Sequence, residues 1–413
     1  MLARGDELGC NDTPMRILHV LQSLHPRFGG PPAVVLRLAA SQANLGAQVG
    51  ILSYRSIDGS EAIEKSLSLV PKISMVKRFD LPTESGLVPR VLASHVGEWI
   101  VREADNWDVL HVHNVWDPVV RAGASAARRV GLPYVITPHG SLDPWAMRQS
   151  PFKRAKKLGA LALQMRALLD ASMFLHVLNE DERRGLTGLG LCAHPEVVAN
   201  GIFLEELANL PARGSFRKQV HGLGNAPYIL FLSRIHFKKG LDVLVDAFAP
   251  ICASQPDLRL VVAGPDDGAL AECMDKARQL GVFERIHVVG PLYGKEKYAA
   301  LQDASVFCLP SRMEGFSIAI LEALACSCPV VISEDCHFPE VAAASAGHVL
   351  PLHASKFTQS LQYFLREPSA AKVAGAQGRL LVERRYTWPV IAQKLLDLYE
   401  TYRGRRLHDL DVG

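Results

Sequence analysis

A chain of 413 residues exceeds the usual size of one hydrophobic core, so two domains are expected. Hydrophobic residues make up 48% and charged residues 21%, an ordinary globular balance, and a net charge of +3 is too small to mark nucleic acid as a partner. The sequence holds neither zinc-finger spacing nor an RNA-binding aromatic motif, and no apolar run approaches the ~20 residues that cross a bilayer.

Residues 1–14 carry Asp6, Glu7 and Asp12 without the apolar centre of a signal peptide, so a disordered leader on a cytoplasmic protein is expected. Next, residues 15–24 read as a strand, 33–45 as a helix, 48–54 as a strand, and 109–112 and 134–136 as two more strands. Such alternation implies a parallel sheet wrapped by helices. Residues 209–226 hold Pro211, Gly214, Gly222 and Gly224, with Pro227 just after, and are the best linker. The pattern then restarts: strand 228–232, helix 240–254, and strands 258–263, 286–289, 306–309 and 329–332. Tyr386, Thr387 and Trp388 open a last helix. The expected organisation is a domain over 15–208, the linker, a domain over 227–385, and a final helix and tail over 386–413. Two doubly wound domains facing each other would leave a cleft bordered by both sheet edges, where ligands bind.

Eight cysteines form no paired CxxC units, and Cys326, Cys328 and Cys336 lie in or beside apolar segments, so buried reduced thiols are expected. Residues 25–32, His-Pro-Arg-Phe-Gly-Gly-Pro-Pro, follow the first strand; they are not GxGxxG, so a dinucleotide reading is poor. His111 and His113 alternate on a strand and share one face, which suits either a metal or the lining of an acceptor cleft, though no third ligand is evident nearby. Residues 148–166 carry Arg148, Lys153, Arg154, Lys156, Lys157 and Arg166 with no acid. That helix either presents a solvated face or lies on an anionic membrane surface, peripheral to the inner face of the cell membrane.

The most informative segment is 311–322, Ser-Arg-Met-Glu-Gly-Phe-Ser-Ile-Ala-Ile-Leu-Glu, where a strand, a loop and a helix start follow one another. Free amides of Gly315, Phe316 and Ser317 at that helix start can face an anion, while Glu314 and Glu322 reach different parts of one ligand. Upstream, residues 233–240 read Ser-Arg-Ile-His-Phe-Lys-Lys-Gly and place cations directly after the second domain's first strand. There Arg234 offers a fork and Lys239 a compact charge to phosphate oxygens.

With these residues the chain resembles the retaining glycosyltransferases of family 4, from about residue 15 to 402. The resemblance implies an α/β protein of two facing Rossmann-like domains, the GT-B fold, with the C-terminal helix crossing back to the first. It implies that Arg234 and Lys239 hold the donor phosphates, Glu322 the ribose hydroxyls, and that Glu314 lies near the transferred sugar. Gly30 would border the donor, and Leu292 and Tyr293 belong to a segment bordering the nucleotide base. His139, in Thr-Pro-His-Gly-Ser-Leu-Asp-Pro-Trp, would donate a hydrogen bond to the transferred sugar. Asp143 and His113 are acceptor-side candidates. That string is similar to those of bacterial enzymes of surface-polysaccharide assembly. The expected reaction therefore moves a sugar from a nucleotide sugar to a glycan or lipid-linked saccharide, with the protein's cations in place of a metal and no cofactor. Ser327 stands where the family has glycine. Two alternatives are a nucleotide-sugar epimerase of the same fold and a catalytically silent glycan-binding protein.

Overall fold

The computed structural model describes residues 13–56, 59–83, 93–142, 159 and 161–411. The chain divides into two compact units, one of Met1–His176, Leu189–Glu196 and Ala392–Gly413, the other of Val177–Gly188 and Val197–Ile391. The first holds a seven-stranded sheet and the second a six-stranded one.

In the first sheet the strands are β1 (Arg16–Val20), β2 (Gln48–Tyr54), β3 (Lys77–Leu81), β4 (Val109–His113), β5 (Tyr134–Thr137), β6 (Leu175–Val177) and β7 (Pro195–Val197), in the order β3-β2-β1-β4-β5-β6-β7. β4 is buried along its whole length, as a central strand covered on both faces must be. β3, Lys-Arg-Phe-Asp-Leu, was not foreseen, because an edge strand carries charge and lacks a clean apolar pattern. The sheet winds outward both ways from the pair β1 and β4, whose register sets His19 beside His111.

The second sheet comprises β8 (Tyr228–Leu232), β9 (Arg259–Ala263), β10 (Ile286–Gly290), β11 (Val306–Leu309), β12 (Val330–Ser333) and β13 (Gly347–Leu350), ordered β10-β9-β8-β11-β12-β13. Every neighbouring pair is parallel. Its reversal of direction falls between β8 and β11, so the loops after these two strands, 233–240 and 310–317, meet at the carboxyl edge of a switch point, where open α/β sheets bind ligands.

Residues 209–226 are not a free linker. They contain the helix Ser215–Gln219, and Phe216 and Leu223 are buried in the second unit's core. Turn-forming residues marked an irregular segment correctly but say nothing of what it packs on. The last helix, Trp388–Asp411, begins in the second unit and belongs to the first from Ala392 onward. Cys252, Cys273, Cys308, Cys326, Cys328 and Cys336 are free and buried, as expected of structural thiols, whereas Cys192 is free but exposed, against that expectation. Ser327 takes φ 56°, a left-handed conformation in which glycine is favoured.

Candidate active site

In the second unit the basic turn and the glutamate loop are bound to each other. Gly240 has φ 70°, and a Cβ there would lie 1.8 Å from the Pro310 carbonyl oxygen, so the Lys239-Gly240 turn sits on the end of β11 only because the residue is glycine. The Arg312 amide donates to the Lys238 carbonyl (2.6 Å), and the Ser311 hydroxyl donates to the same oxygen (2.9 Å). The Arg312 guanidinium forks onto Asp242 (2.8 and 2.6 Å) and lies 4.1 Å above the Phe237 ring.

This clamp brings Lys239 Nζ to 2.6 Å from Glu314 Oε1, with the two side chains 12% and 9% exposed. Glu322, inside the helix Ile318–Ala325, meets Lys297 Nζ at 2.5 Å. Lys297 comes from the helix Gly294–Asp303, and no spacing in the sequence linked it to Glu322. Arg234 is exposed and pairs with Asp267 at 2.7 Å, a second partner that was missed. Each expected donor-side cation therefore carries a carboxylate.

Gly315, Phe316 and Ser317 form the entry to the helix Ile318–Ala325, and Phe316 packs on Phe338. Asn179 also holds this loop. Its Oδ1 accepts from the Glu182 amide (2.8 Å), its Nδ2 donates to the Gly315 carbonyl, and Glu182 Oε2 accepts from the Leu178 amide (2.8 Å). The spacing of Asn179 and Glu182 marks a helix start in the sequence, but nothing in it points to Gly315. Leu292 packs against the core, whereas Tyr293 is 72% exposed at the start of the helix Gly294–Asp303.

In the first unit Gly30 opens the helix Gly30–Asn44, exposed, with free space where a Cβ would stand. His139 stands in the turn directly after β5 at φ 51° and is partly buried. His113, expected on the acceptor side, is 2% exposed with both ring nitrogens bonded internally, to His19 (2.9 Å) and His139 (3.1 Å). As the last residue of a fully covered strand it lies behind His139 and reaches no ligand directly. Asp143 lies outside the described residues, as do most of residues 148–166. Of that basic stretch, Arg166 spends its guanidinium on the carbonyls of Leu189 and Gly190.

The third histidine missing from the sequence argument is His19. Among the described residues His19, His111 and His113 form the one cluster with the composition of a metal site. Their nitrogens are already used. His19 also bonds Gln42 Oε1 (2.7 Å), and His111 bonds the Tyr399 hydroxyl (2.6 Å) and Thr137 Oγ1 (2.6 Å). His111 and His113 are stacked at 4.3 Å, and although one nitrogen from each of the three rings lies within 4.8 Å of the others, every ring nitrogen is bonded to a protein partner. Burial lowers every one of these rings, His19 to about 4 and His139 to about 3, with His111 and His113 well below the usual value. After β4, Trp116 and Asp117 line a pocket of about 130 Å³, and burial raises the Asp117 carboxyl to about 6.

Paired cations beside a helix entry at the switch point of a parallel sheet have the chemistry to bind a diphosphate. Residues 214–380 match the family described as glycosyl transferases group 1, and residues 29–201 match the glycosyl transferase 4-like domain. The chain belongs to the group 1, family-4-like glycosyltransferases. Similar relatives run nearly end to end. A GDP-mannose-dependent monoacylated alpha-(1-6)-phosphatidylinositol monomannoside mannosyltransferase of Corynebacterium glutamicum is 23% identical, over 94% of this chain and 98% of the relative. The GDP-mannose:cellobiosyl-diphosphopolyprenol alpha-mannosyltransferase of Xanthomonas campestris is likewise 23% identical over 94% and 98%. Among solved structures, Anabaena HepE in complex with UDP superposes with a TM-score of 0.75 at 17% identity, covering 94% of this chain and 100% of that one. This glycosyltransferase therefore shares the GT-B fold, two Rossmann-like domains, as the strand orders also show.

Proposed function

We propose that this glycosyltransferase takes its sugar from a nucleoside-diphosphate sugar and passes it, with retention and without a metal, to a lipid-linked or glycan acceptor in bacterial polysaccharide assembly. The observation that carries this reading is the pair Lys239–Glu314 and Lys297–Glu322 flanking the entry of the helix Ile318–Ala325, with Arg234 on the neighbouring loop.

A departing nucleoside diphosphate gathers negative charge as the glycosidic bond breaks. Arg234, Lys239 and the amides of Gly315, Phe316 and Ser317 supply donors for it, each charge-assisted bond contributing about 1.5–3 kcal/mol. Glu322 takes the ribose hydroxyls, with Lys297 holding its carboxylate in place. Glu314 positions Lys239 and lies against the transferred sugar. Leu292 and Tyr293 border the base, Gly30 leaves room beside the donor, and His139 meets a sugar hydroxyl. The anomeric C–O bond breaks with its electron pair going to the phosphate oxygen. The acceptor oxygen then attacks on that same face and gives its proton to that phosphate, so no carboxylate nucleophile is required. Protein cations do the neutralising that a metal would otherwise do.

The two named relatives support GDP-mannose as the first donor to try and a lipid-linked acceptor as the first acceptor. No helix among the described residues is long and apolar enough to cross a membrane. An attraction of residues 148–166 to anionic lipid remains part of the proposal. A thermal-shift screen of UDP and GDP sugars tests the donor, because a ligand bound only by the folded state raises the melting temperature. GDP-mannose should give the largest rise, and product formed in EDTA should keep the donor's anomeric configuration by NMR. A shift with no nucleotide sugar would overturn the reading; inversion, or loss of turnover in EDTA, would overturn the mechanism.

A further inference from the structure

The first unit contains a connected set of hydrogen bonds whose direction follows from the Gln42 amide. Gln42, fully buried on the helix Gly30–Asn44, points Oε1 at His19 Nε2 (2.7 Å) and Nε2 at the Tyr399 hydroxyl (3.4 Å). A carbonyl oxygen only accepts and an amide nitrogen only donates, so each contact fixes the next. His19 carries its proton on Nε2, and its Nδ1 must accept from His113 Nε2 (2.9 Å). His113 Nδ1 in turn accepts from His139 Nε2 (3.1 Å). Along the other arm the Tyr399 hydroxyl donates to His111 Nδ1 (2.6 Å), His111 Nε2 donates to Thr137 Oγ1 (2.6 Å), and that hydroxyl donates to His176 Nδ1 (2.8 Å). Turning the Gln42 amide over would reverse every bond in both arms, giving the one other order that leaves each ring neutral and the hydroxyl protons of Tyr399 and Thr137 in hydrogen bonds.

We propose that Gln42 is a positioning residue that fixes the tautomer of His139, so that His139 Nδ1 faces outward without a proton and accepts a hydrogen bond from a sugar hydroxyl. His139 Nδ1 has no partner among the described residues, and its neighbour Gly140, at φ 74°, continues the left-handed turn after β5. The direction is opposite to the one expected from sequence, where the ring donates. Tyr399 lies on the C-terminal helix and Gln42 on the first, so the order of the His111 arm, unlike that of the His139 arm, depends on two helices being in place together. The identity of the hydroxyl as a sugar's rests on the functional reading above; the tautomer does not.

The tautomer is measured first on the ligand-free native enzyme, by two-bond proton–nitrogen correlation of ¹⁵N-histidine at pH 8, with His139 assigned from its loss in His139→Gln. His139 should be protonated on Nε2 alone. A proton on Nδ1, or a stoichiometric metal on the imidazoles, overturns the proposal. In Gln42→Met both orders become open and the His139 signal should show both tautomers; a single unchanged tautomer also overturns it. Tyr399→Phe, which leaves the Gln42 contact to His19, should keep the His139 tautomer while releasing that of His111, so the test survives if Gln42→Met does not fold. Donor analogues with each hydroxyl replaced by fluorine, which cannot donate, separate the two readings. At one position kcat/KM should fall about tenfold. No loss at any position, with the tautomer as stated, would refute the sugar contact and leave the role of Gln42 standing.

Discussion

The two sheet edges solve the same problem in opposite ways. At the second unit's switch point polarity is kept as charge, with Lys239 on Glu314, Lys297 on Glu322, Arg234 on Asp267 and Arg312 on Asp242. At the first unit's, polarity is kept without charge, in imidazoles that burial holds neutral and hydrogen bonds hold in order. Ion pairs can exchange partners with an incoming phosphate, because attraction depends weakly on orientation. A chain of neutral donors and acceptors cannot exchange without every member turning, so it suits recognition of a hydroxyl, which carries direction but no charge.

The difference can be broken most severely at Lys239. In Lys239→Met the nearly buried Glu314 loses its counterion, and we expect about 3–5 kcal/mol of destabilisation in urea unfolding, with kcat/KM reduced about 10²–10³-fold. Lys239→Met with Glu314→Gln should regain most of the stability and none of the activity. Recovery of activity in the double variant would show that the cation serves only its carboxylate.

Acid should act on the other edge first. The folded histidines bind protons only well below the ordinary value of 6.5, with His19 at about 4, whereas the unfolded chain binds them at that value. The unfolded state therefore holds more protons as pH falls, and stability that is full above about pH 6.5 declines by about 1.4 kcal/mol per pH unit for each such ring. Urea unfolding between pH 7 and pH 5 checks this. A flat profile in that window would mean that the histidines are not held neutral.

Within the charged edge the two glutamates should separate. Glu322→Ala should raise the donor KM about tenfold with little change in kcat, whereas Glu314→Ala should chiefly lower kcat. Steady-state kinetics showing the reverse would exchange their roles. The smallest effect belongs outside both edges: Ser327→Gly, at φ 56°, should add up to about 1 kcal/mol of stability with unchanged kinetics.

Much of this was legible along the chain. The bounds of β2, β8 and β11 coincide with the segments read as strands at 48–54, 228–232 and 306–309, because a covered parallel strand needs a largely apolar segment. Lys239, Gly240, Glu314 and Glu322 were marked by residue type beside such runs. β3, β6, β7 and β13 were not, being short or charged and defined by their neighbours rather than by their own composition. The packing of residues 209–226 was equally hidden, since proline and glycine record a break in regular structure and not its surroundings.

The sequence by itself determined where apolar segments must be buried and which backbone turns need glycine, since both follow from a residue's own side chain. Tertiary structure alone decided which polar groups meet. Glu322 finds Lys297, Gly315 finds Asn179, and His139 is linked through His113 and His19 to Gln42. Those partners lie 23 to 136 residues apart along the chain, and they are set by strand order and register, which no local period or spacing records.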